Sequence, residues 1–380
     1  MMATGDLPET PARRKRGPGG WITRLIARPG FQRWASGFPL TRGVARRDGA
    51  AIFNIVQGFV QSQVLSALVE LEVFHRLAEG PKTSAELCLR AGLPEGRMQI
   101  LLQAGAGLGL LKHRRDGRFG LARRGAAILG VPGLEAMIRH HGAFYADMAD
   151  PVALLRGEGD TELARFWPYV FGAAAEMEPD VANRYSDLMA QSQGLVAQDV
   201  LRMVSLKGVR HLLDVGGGSG AFLQEVAAQY RDLNLTLFDL PEVMSSARGR
   251  LATLGLAERI ALAPGSFRQD ALPVGMDAIS LIRVLYDHDD STVRALLAAV
   301  FAALPEGGRL IVAEPMAGGI RPAPQGDVYF AFYTMAMGTG RARSPERIAD
   351  LCREAGFEKV KIPFAPRPYV ASAVRCVKGL

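Results

Sequence analysis

The chain has 380 residues, 48% of them hydrophobic and 22% charged, which is ordinary for a globular protein and long enough for two domains with full cores. Its cysteines, Cys88, Cys352 and Cys376, are widely spaced with no CxxC pair, which excludes a disulfide framework or zinc ribbon and points to a reducing, cytoplasmic compartment. The net charge of +7 is uneven: residues 1–47 hold ten Arg or Lys against Asp6 and Glu9, a balance of +8, so the remaining 333 residues sum to −1.

The basic excess therefore belongs to an arm, residues 1–48. Residues 1–20, with "PARRKRGPGG", have the composition of a disordered segment. Residues 21–40 interleave aromatic rings with arginines, a pattern suited either to an anionic membrane surface or to packing on a domain. Arginines interrupt every apolar stretch here, which argues against a cleavable signal, and no uncharged apolar run reaches the roughly 18 residues of a membrane span.

Residues 49–150 predict a helical domain. "TSAELCLRAGLPEGRMQILLQAGAGLGLL" is a helix, a Gly-Leu-Pro turn and a second helix, with Thr83 or Ser84 as N-cap, and "LLKHRRDGRFGLA" is a hairpin turned at Asp116-Gly117. Helix-turn-helix plus wing is a winged-helix pattern. Its second helix sets Arg97 and Gln99 among Met98, Ile100, Leu101 and Leu102, too apolar to read base edges, so the expectation is dimerisation and no nucleic-acid partner. Residues 151–200 read as a helical connector contributing to a pocket. From 201 to 380 apolar runs such as "HLLDV", "LTLFDL" and "GGRLIVAEP" alternate with helical stretches, which predicts an α/β domain with a parallel, doubly wound, Rossmann-like sheet.

"LLDVGGGSGAFLQEV" puts glycines 216, 217, 218 and 220 between a buried strand and a helix, where the backbone can turn sharply and approach a ligand. Asp214 at the strand end would repel a pyrophosphate and suits a cation. S-adenosylmethionine brings both an ammonium and a sulfonium. Asp239 ends the second strand, where an acid can bind ribose hydroxyls. A dehydrogenase is disfavoured by Asp214.

In order and spacing, "LLDVGGGSG", "FDLPEV", "PGSF", "RVLYDHDD", "GGRLIVAEP" and "REAGF" resemble the winged-helix-dimerised, S-adenosylmethionine-dependent O-methyltransferases over residues 50–380. "RPGFQRWASGFPLTR", "ADPVALLRG" and "RFWPYVFGA" resemble in particular the subgroup that methylates the tertiary 1-hydroxyl of acyclic carotenoids in phototrophic bacteria. The resemblance implies a homodimer, a lipophilic hydroxycarotenoid substrate, S-adenosylmethionine as cofactor without a metal, and a site at the inner face of a photosynthetic or plasma membrane. It assigns Asp214, Gly216 and Gly218 to the methionine end of the cofactor and Asp239 to its ribose. Ser266 and Phe267 meet the adenine, where family members often have Asp before the apolar residue, and Leu240 and Arg283 complete the set.

The family's catalytic histidine falls on Tyr286, followed here by Asp287 and His288. Glu314 matches the first of two glutamates that flank that histidine; the second falls on Ala342. A phenol can be deprotonated by a histidine, whereas a tertiary alcohol is far less acidic, so placement of the oxygen matters more than early proton removal. Tyr286 is therefore expected to hold the hydroxyl, with Glu314 supporting the same region. His288 is either a displaced base or a packing substitute for the family's tryptophan, and packing is the reading favoured here. Asp289 and Asp290 are expected to cap the next helix. His140, Tyr145, Phe330, Tyr333 and Met337 are the expected substrate wall, aromatic and thioether groups suited to a polyene. Methylation of a polyketide or phenol, C-methylation of a tetrapyrrole, and a winged-helix regulator with a cofactor-like effector are the alternatives.

Overall fold

The computed structural model describes residues 19–166 and 193–379; the basic run Arg13–Arg16 and most of "FWPYVF" lie outside them. The chain divides after Leu68 into two compact units, Met1–Leu68 and Val69–Leu380.

In the first unit the described part of the arm, residues 19–48, forms helices α1 (Gly19–Ile26) and α2 (Pro29–Gly37) and the first half of α3 (Arg42–Val56), and the residues expected to open the helical domain complete α3 and form most of α4 (Gly58–Glu70). Proline at the start of α2 costs no hydrogen bond, because the first helical N–H has no intrahelical acceptor. Trp34 stacks on Phe38, ring centroids 4.7 Å apart. Trp21, Ile22, Ile26, Trp34 and Phe38 are all exposed, and no residue of α3 is buried. Among the described residues no single helix is long and apolar enough to cross a membrane; α3 and α4 together pass that test by length and composition but bend by 50°.

The second unit opens with α5 (Val73–Ala78), α6 (Ser84–Ala91), α7 (Glu95–Gly107) and a hairpin of β1 (Leu111–His113) and β2 (Phe119–Leu121). Thr83 is the N-cap of α6, with a reciprocal capping box: Glu86 N–H donates to Thr83 Oγ1 at 3.2 Å and Thr83 N–H to Glu86 Oε2 at 2.6 Å. On α7, Met98 and Leu102 are buried while Arg97 and Ile100 are exposed, so the helix offers solvent no row of base-reading polar groups. Helices α8 (Arg123–Leu129), α9 (Leu134–Asp147), α10 (Pro151–Arg156) and α11 (Glu162–Phe166) follow, and residues 193–203 form α12.

The rest is a three-layer α/β domain. Strands β3 (His211–Val215), β4 (Asn234–Asp239), β5 (Ile260–Pro264), β6 (Ala278–Ile282) and β7 (Arg309–Glu314) are parallel, and β8 (Phe357–Lys361) and β9 (Ser372–Lys378) complete a sheet of order β5-β4-β3-β6-β7-β9-β8. Strand β9 runs antiparallel to both β7 and β8, so the sheet is mixed rather than purely parallel. Two features hid this antiparallel edge: β8 is a mostly exposed strand, "FEKVK", without a long apolar run, and the connection from β8 to β9 contains no helix.

Helices α13 (Ala221–Gln229) and α14 (Pro241–Thr253) cover one face with α12, through Phe222, Val226 and Ala247 on Leu212, Leu235 and Leu237. Helices α15 (Asp290–Ala303) and α17 (Pro345–Glu354) cover the other, through Val293, Leu297 and Ile348 on Leu213, Ile279 and Val312. Burial of both faces explains why the strands read as continuous apolar runs. The strand order reverses between β3 and β6, and the crevice at the carboxyl ends there is where such sheets bind ligands.

Candidate active site

The loop from β3 to α13 lies close over its own strand. Gly216 has φ 69°, and a Cβ there would come 2.9 Å from Val284 Cγ2; a Cβ on Gly217 would strike the Asp214 carboxylate and Leu237. Gly218, φ 59°, donates its N–H to Asp239 Oδ2 at 2.7 Å. The other Asp239 oxygen accepts from Leu240 N–H at 2.7 Å, and Leu240 is the N-cap of α14. One carboxylate thus ties the glycine loop to the end of β4. Burial pushes Asp239 above the usual carboxylate range, opposed by those two N–H groups.

Asp214 is fully buried. Its Oδ1 accepts the Ser280 hydroxyl at 2.6 Å, and its Oδ2 has no hydrogen-bond partner among the described residues. Burial pushes its carboxyl up to about 7, Ser280 opposes this, and the charge of Asp239 adds to it. A buried carboxylate oxygen without a donor is costly. A cation beside it removes that cost, so this donor set fits S-adenosylmethionine: Asp214 and the glycine loop for its charged end, Asp239 for its ribose. After β5, Ser266 N–H donates to Asp270 Oδ2 at 2.8 Å and its hydroxyl accepts from Arg268 N–H at 3.3 Å. Phe267 is half-buried, its ring edge-on to His288 at 5.4 Å.

At the end of β6, Arg283 takes a left-handed conformation, φ 60°, uncommon for a side chain with a Cβ. A single 3₁₀ turn, Leu285–Asp287, then carries Tyr286. Arg283 Nη2 lies 3.4 Å from Tyr286 Oη, and Nη1 lies 3.4 Å from Gln193 Oε1. Tyr286 is buried, which pushes its phenol above the ordinary value, so at neutral pH it is a hydrogen-bonding group and not a phenolate.

Glu314 ends β7 fully buried, pushed up to about 7 by that burial. Its Oε2 accepts the backbone N–H of Tyr286 at 3.0 Å. The carboxylate thereby holds the turn that presents the tyrosine, because β7 lies directly beside β6, while its Oε1 is buried with no hydrogen-bond partner among the described residues. Asp287, which the sequence reading left without a role, has a buried Oδ1 with no partner among the described residues and is pushed well above its usual range by burial. Arg343, also unforeseen, donates to Leu285 O at 2.9 Å, His288 O at 2.8 Å and Asp290 Oδ1 at 2.8 Å, fixing the turn from below.

His288 Nδ1 faces Arg268 Nη2 at 3.1 Å, so this nitrogen accepts. Burial, then the charges of Arg268 and Arg343, push the ring down to about 4. It sits as a neutral packing group between Phe267 and the start of α15. Asp289 caps that helix, accepting from Thr292 N–H at 2.8 Å, whereas Asp290 is its first residue and pairs with Arg343 and Arg347.

The expected substrate wall divides into packed core positions and half-buried ones. Met337 is 1% exposed and packs with Phe144, Leu154, Leu163 and Tyr333, a core position behind the wall. Tyr333, on α16 (Ala331–Ala336), is also buried, its Oη 2.8 Å from His140 Nε2. His140, Tyr145 and Phe330 are half-buried. His141 on α9, which the sequence offers beside His140 as a further candidate or a polar helix face, meets a residue not singled out, Tyr329 in the π-helical segment Pro324–Phe330, at 2.6 Å. Tyr329 is within electrostatic reach of Arg283, Tyr145 and Tyr286, and burial pushes its phenol above the ordinary value. Nothing in the sequence pattern distinguishes Tyr329 from Tyr333, because both lie on one short helical stretch.

A family model for the O-methyltransferase domain matches residues 145–358, and one for the O-methyltransferase dimerisation domain matches residues 53–129. The chain belongs to the O-methyltransferase family. It is 56% identical over 368 residues to the demethylspheroidene O-methyltransferase of Cereibacter sphaeroides, covering 97% of both chains, and 51% identical to the Rhodobacter capsulatus protein of the same name, covering 98% of this chain and 94% of that one. Among solved structures it is similar to human N-acetylserotonin methyltransferase in complex with SAM, with TM-score 0.74 and 25% identity over 88% of this chain and 98% of that one.

Proposed function

We propose that the protein is a homodimeric, S-adenosylmethionine-dependent O-methyltransferase that methylates the tertiary 1-hydroxyl of an acyclic hydroxycarotenoid. The observation that carries the substrate is the 56% identity, over 97% of both chains, to a demethylspheroidene O-methyltransferase. Tyrosine at the position of the family's histidine supports it, since an alcohol needs placement more than a base. When bound, S-adenosylmethionine supplies a methyl group on a sulfonium. Asp214, Gly216, Gly218, Asp239 and Leu240 bind its charged end and ribose, and Ser266 and Phe267 its base. Tyr286, steadied by Arg283 and by Glu314 through its backbone, orients the substrate hydroxyl. Half-buried Tyr145 and Phe330 line the polyene and keep water away.

The exposed Trp21, Trp34 and Phe38 lie among Arg24, Arg28, Arg33 and Arg42, which suits peripheral contact with the anionic inner face of the membrane that holds such a substrate. Purified protein incubated with labelled S-adenosylmethionine should transfer label to 1-hydroxycarotenoids and not to phenols. Label on phenols alone overturns the substrate. Deleting residues 1–40 should leave cofactor affinity intact and reduce sedimentation with anionic vesicles in a salt-dependent way. Equal sedimentation of the two forms removes the membrane role.

A further inference from the structure

We propose that Tyr329 and His141 form a proton exit for the methylated hydroxyl, with Tyr329 Oη touching the substrate oxygen and His141 Nε2 as final acceptor. The inference rests on the O-methyl transfer reading.

His141 Nδ1 lies 2.6 Å from the Met137 carbonyl and Nε2 lies 2.6 Å from Tyr329 Oη. A carbonyl only accepts, so Nδ1 carries the hydrogen, and a neutral ring then presents a lone pair at Nε2. Tyr329 must donate to it, which leaves the tyrosine oxygen ready to accept a second hydrogen. Burial holds the His141 ring below the ordinary histidine value, which keeps its Nε2 lone pair free at neutral pH and makes it a weak base that only a strong acid such as an oxonium protonates. The titratable and charged groups around the pair are His140, Tyr145, Tyr286, Tyr333 and Arg283. The parallel pair of His140 and Tyr333 cannot serve as well, since Tyr333 is 6% exposed and part of the packed cluster, while Tyr329 is half-buried.

The chemistry requires such an exit. A tertiary alcohol is too weak an acid to lose its proton before it reacts. As its oxygen forms the bond to the methyl carbon, and the carbon–sulfur electron pair returns to sulfur, that oxygen becomes a strongly acidic oxonium. Its proton passes to Tyr329 Oη while the Tyr329 proton passes to His141 Nε2. The products are a neutral ether, a neutral tyrosine and an imidazolium, so the positive charge lost at sulfur reappears on His141.

Tyr329→Phe retains the ring that packs edge-on to Phe144 and against Tyr333 and removes only the hydroxyl. Single-turnover methylation of a 1-hydroxycarotenoid should fall about 10²-fold in Tyr329→Phe and in His141→Gln. The double variant should be no slower than either single change, and cofactor affinity by calorimetry should not move. The wild-type rate should show an acid limb below the ordinary histidine range that is absent in His141→Gln. Independently of activity, the His141 imidazole resonance, assigned by its loss in His141→Gln, should shift and titrate differently in Tyr329→Phe. Additive losses in the double variant, an acid limb that survives His141→Gln, or an unchanged imidazole titration in Tyr329→Phe each overturn the relay. Methyl transfer to phenols alone overturns the substrate reading instead, and the imidazole titration then still decides whether the two residues are linked.

Discussion

Replacing Asp214 by asparagine keeps the shape of the side chain and removes a charge that the fold buries without a donor at Oδ2. Its carboxyl rises from 3.8 to about 7. At roughly 1.4 kcal/mol per unit, the ionised form destabilises the empty protein by up to ~4 kcal/mol. The sign follows from a raised value. Between pH 4 and 7 the folded protein keeps a proton that the unfolded chain has released, so stability falls as pH rises through that window and the full penalty applies above it. The amide resembles the protonated acid, so wild type and variant should differ by only about 1 kcal/mol near pH 4.5, where the unfolded carboxyl has begun to ionise. The variant should become the more stable as pH rises to 8, by at most ~4 kcal/mol. Urea unfolding followed by circular dichroism at pH 4.5, 6 and 8 measures this directly. Cofactor binding should move the other way: the cation needs the carboxylate, so calorimetry should show the variant weaker by about 10–10²-fold. Wild type should release a proton on binding near pH 6. A stability difference independent of pH, or unchanged cofactor affinity in the variant, refutes the assignment of Asp214.

Asp239→Ala should weaken cofactor binding by about 2–3 kcal/mol, two hydrogen bonds' worth, and unchanged affinity by calorimetry removes Asp239 from the site. His288→Ala should lower thermal stability while leaving the shape of the pH–rate profile intact, because the ring is already pushed down to about 4 and faces Arg268; a pH–rate limb that disappears with it identifies His288 as the base. Asp199 is fully buried and accepts from Arg367 Nε and Nη2, each at 2.8 Å, so Arg367→Ala should cost about 3 kcal/mol in urea unfolding by leaving a buried charge with only the exposed Arg202. A loss under ~0.5 kcal/mol would show that Arg202 or water replaces it.

The cofactor half of the site was legible in the sequence because it is local. Glycines 216 to 220 follow one strand and Asp239 ends the next, and a chain that must bury both faces of a parallel sheet announces those strands as apolar runs. Helix α6 was legible for a similar reason: its capping box closes within four residues. The roles of the acids around Tyr286 were not local. Whether Glu314 meets the tyrosine hydroxyl or its backbone depends on how β7 lies beside β6, and the pinning of the same turn by Arg343 comes from more than fifty residues downstream. Periodicity marked residues 328–337 as one aromatic stripe, but packing buries Met337 and Tyr333 in a core with Phe144 and leaves Tyr329 half-buried at its margin. The antiparallel strands β8 and β9 are likewise a tertiary outcome, since the pairing of β9 with β7 joins residues about sixty apart through register alone. Sequence thus determined the parallel strands of the sheet, the glycine loop and the acids that close it. Which histidine meets which tyrosine was decided only when α9 packed against the helical stretch after β7, because a side chain's partner across two elements depends on their rotation and separation, and neither is written in local spacing.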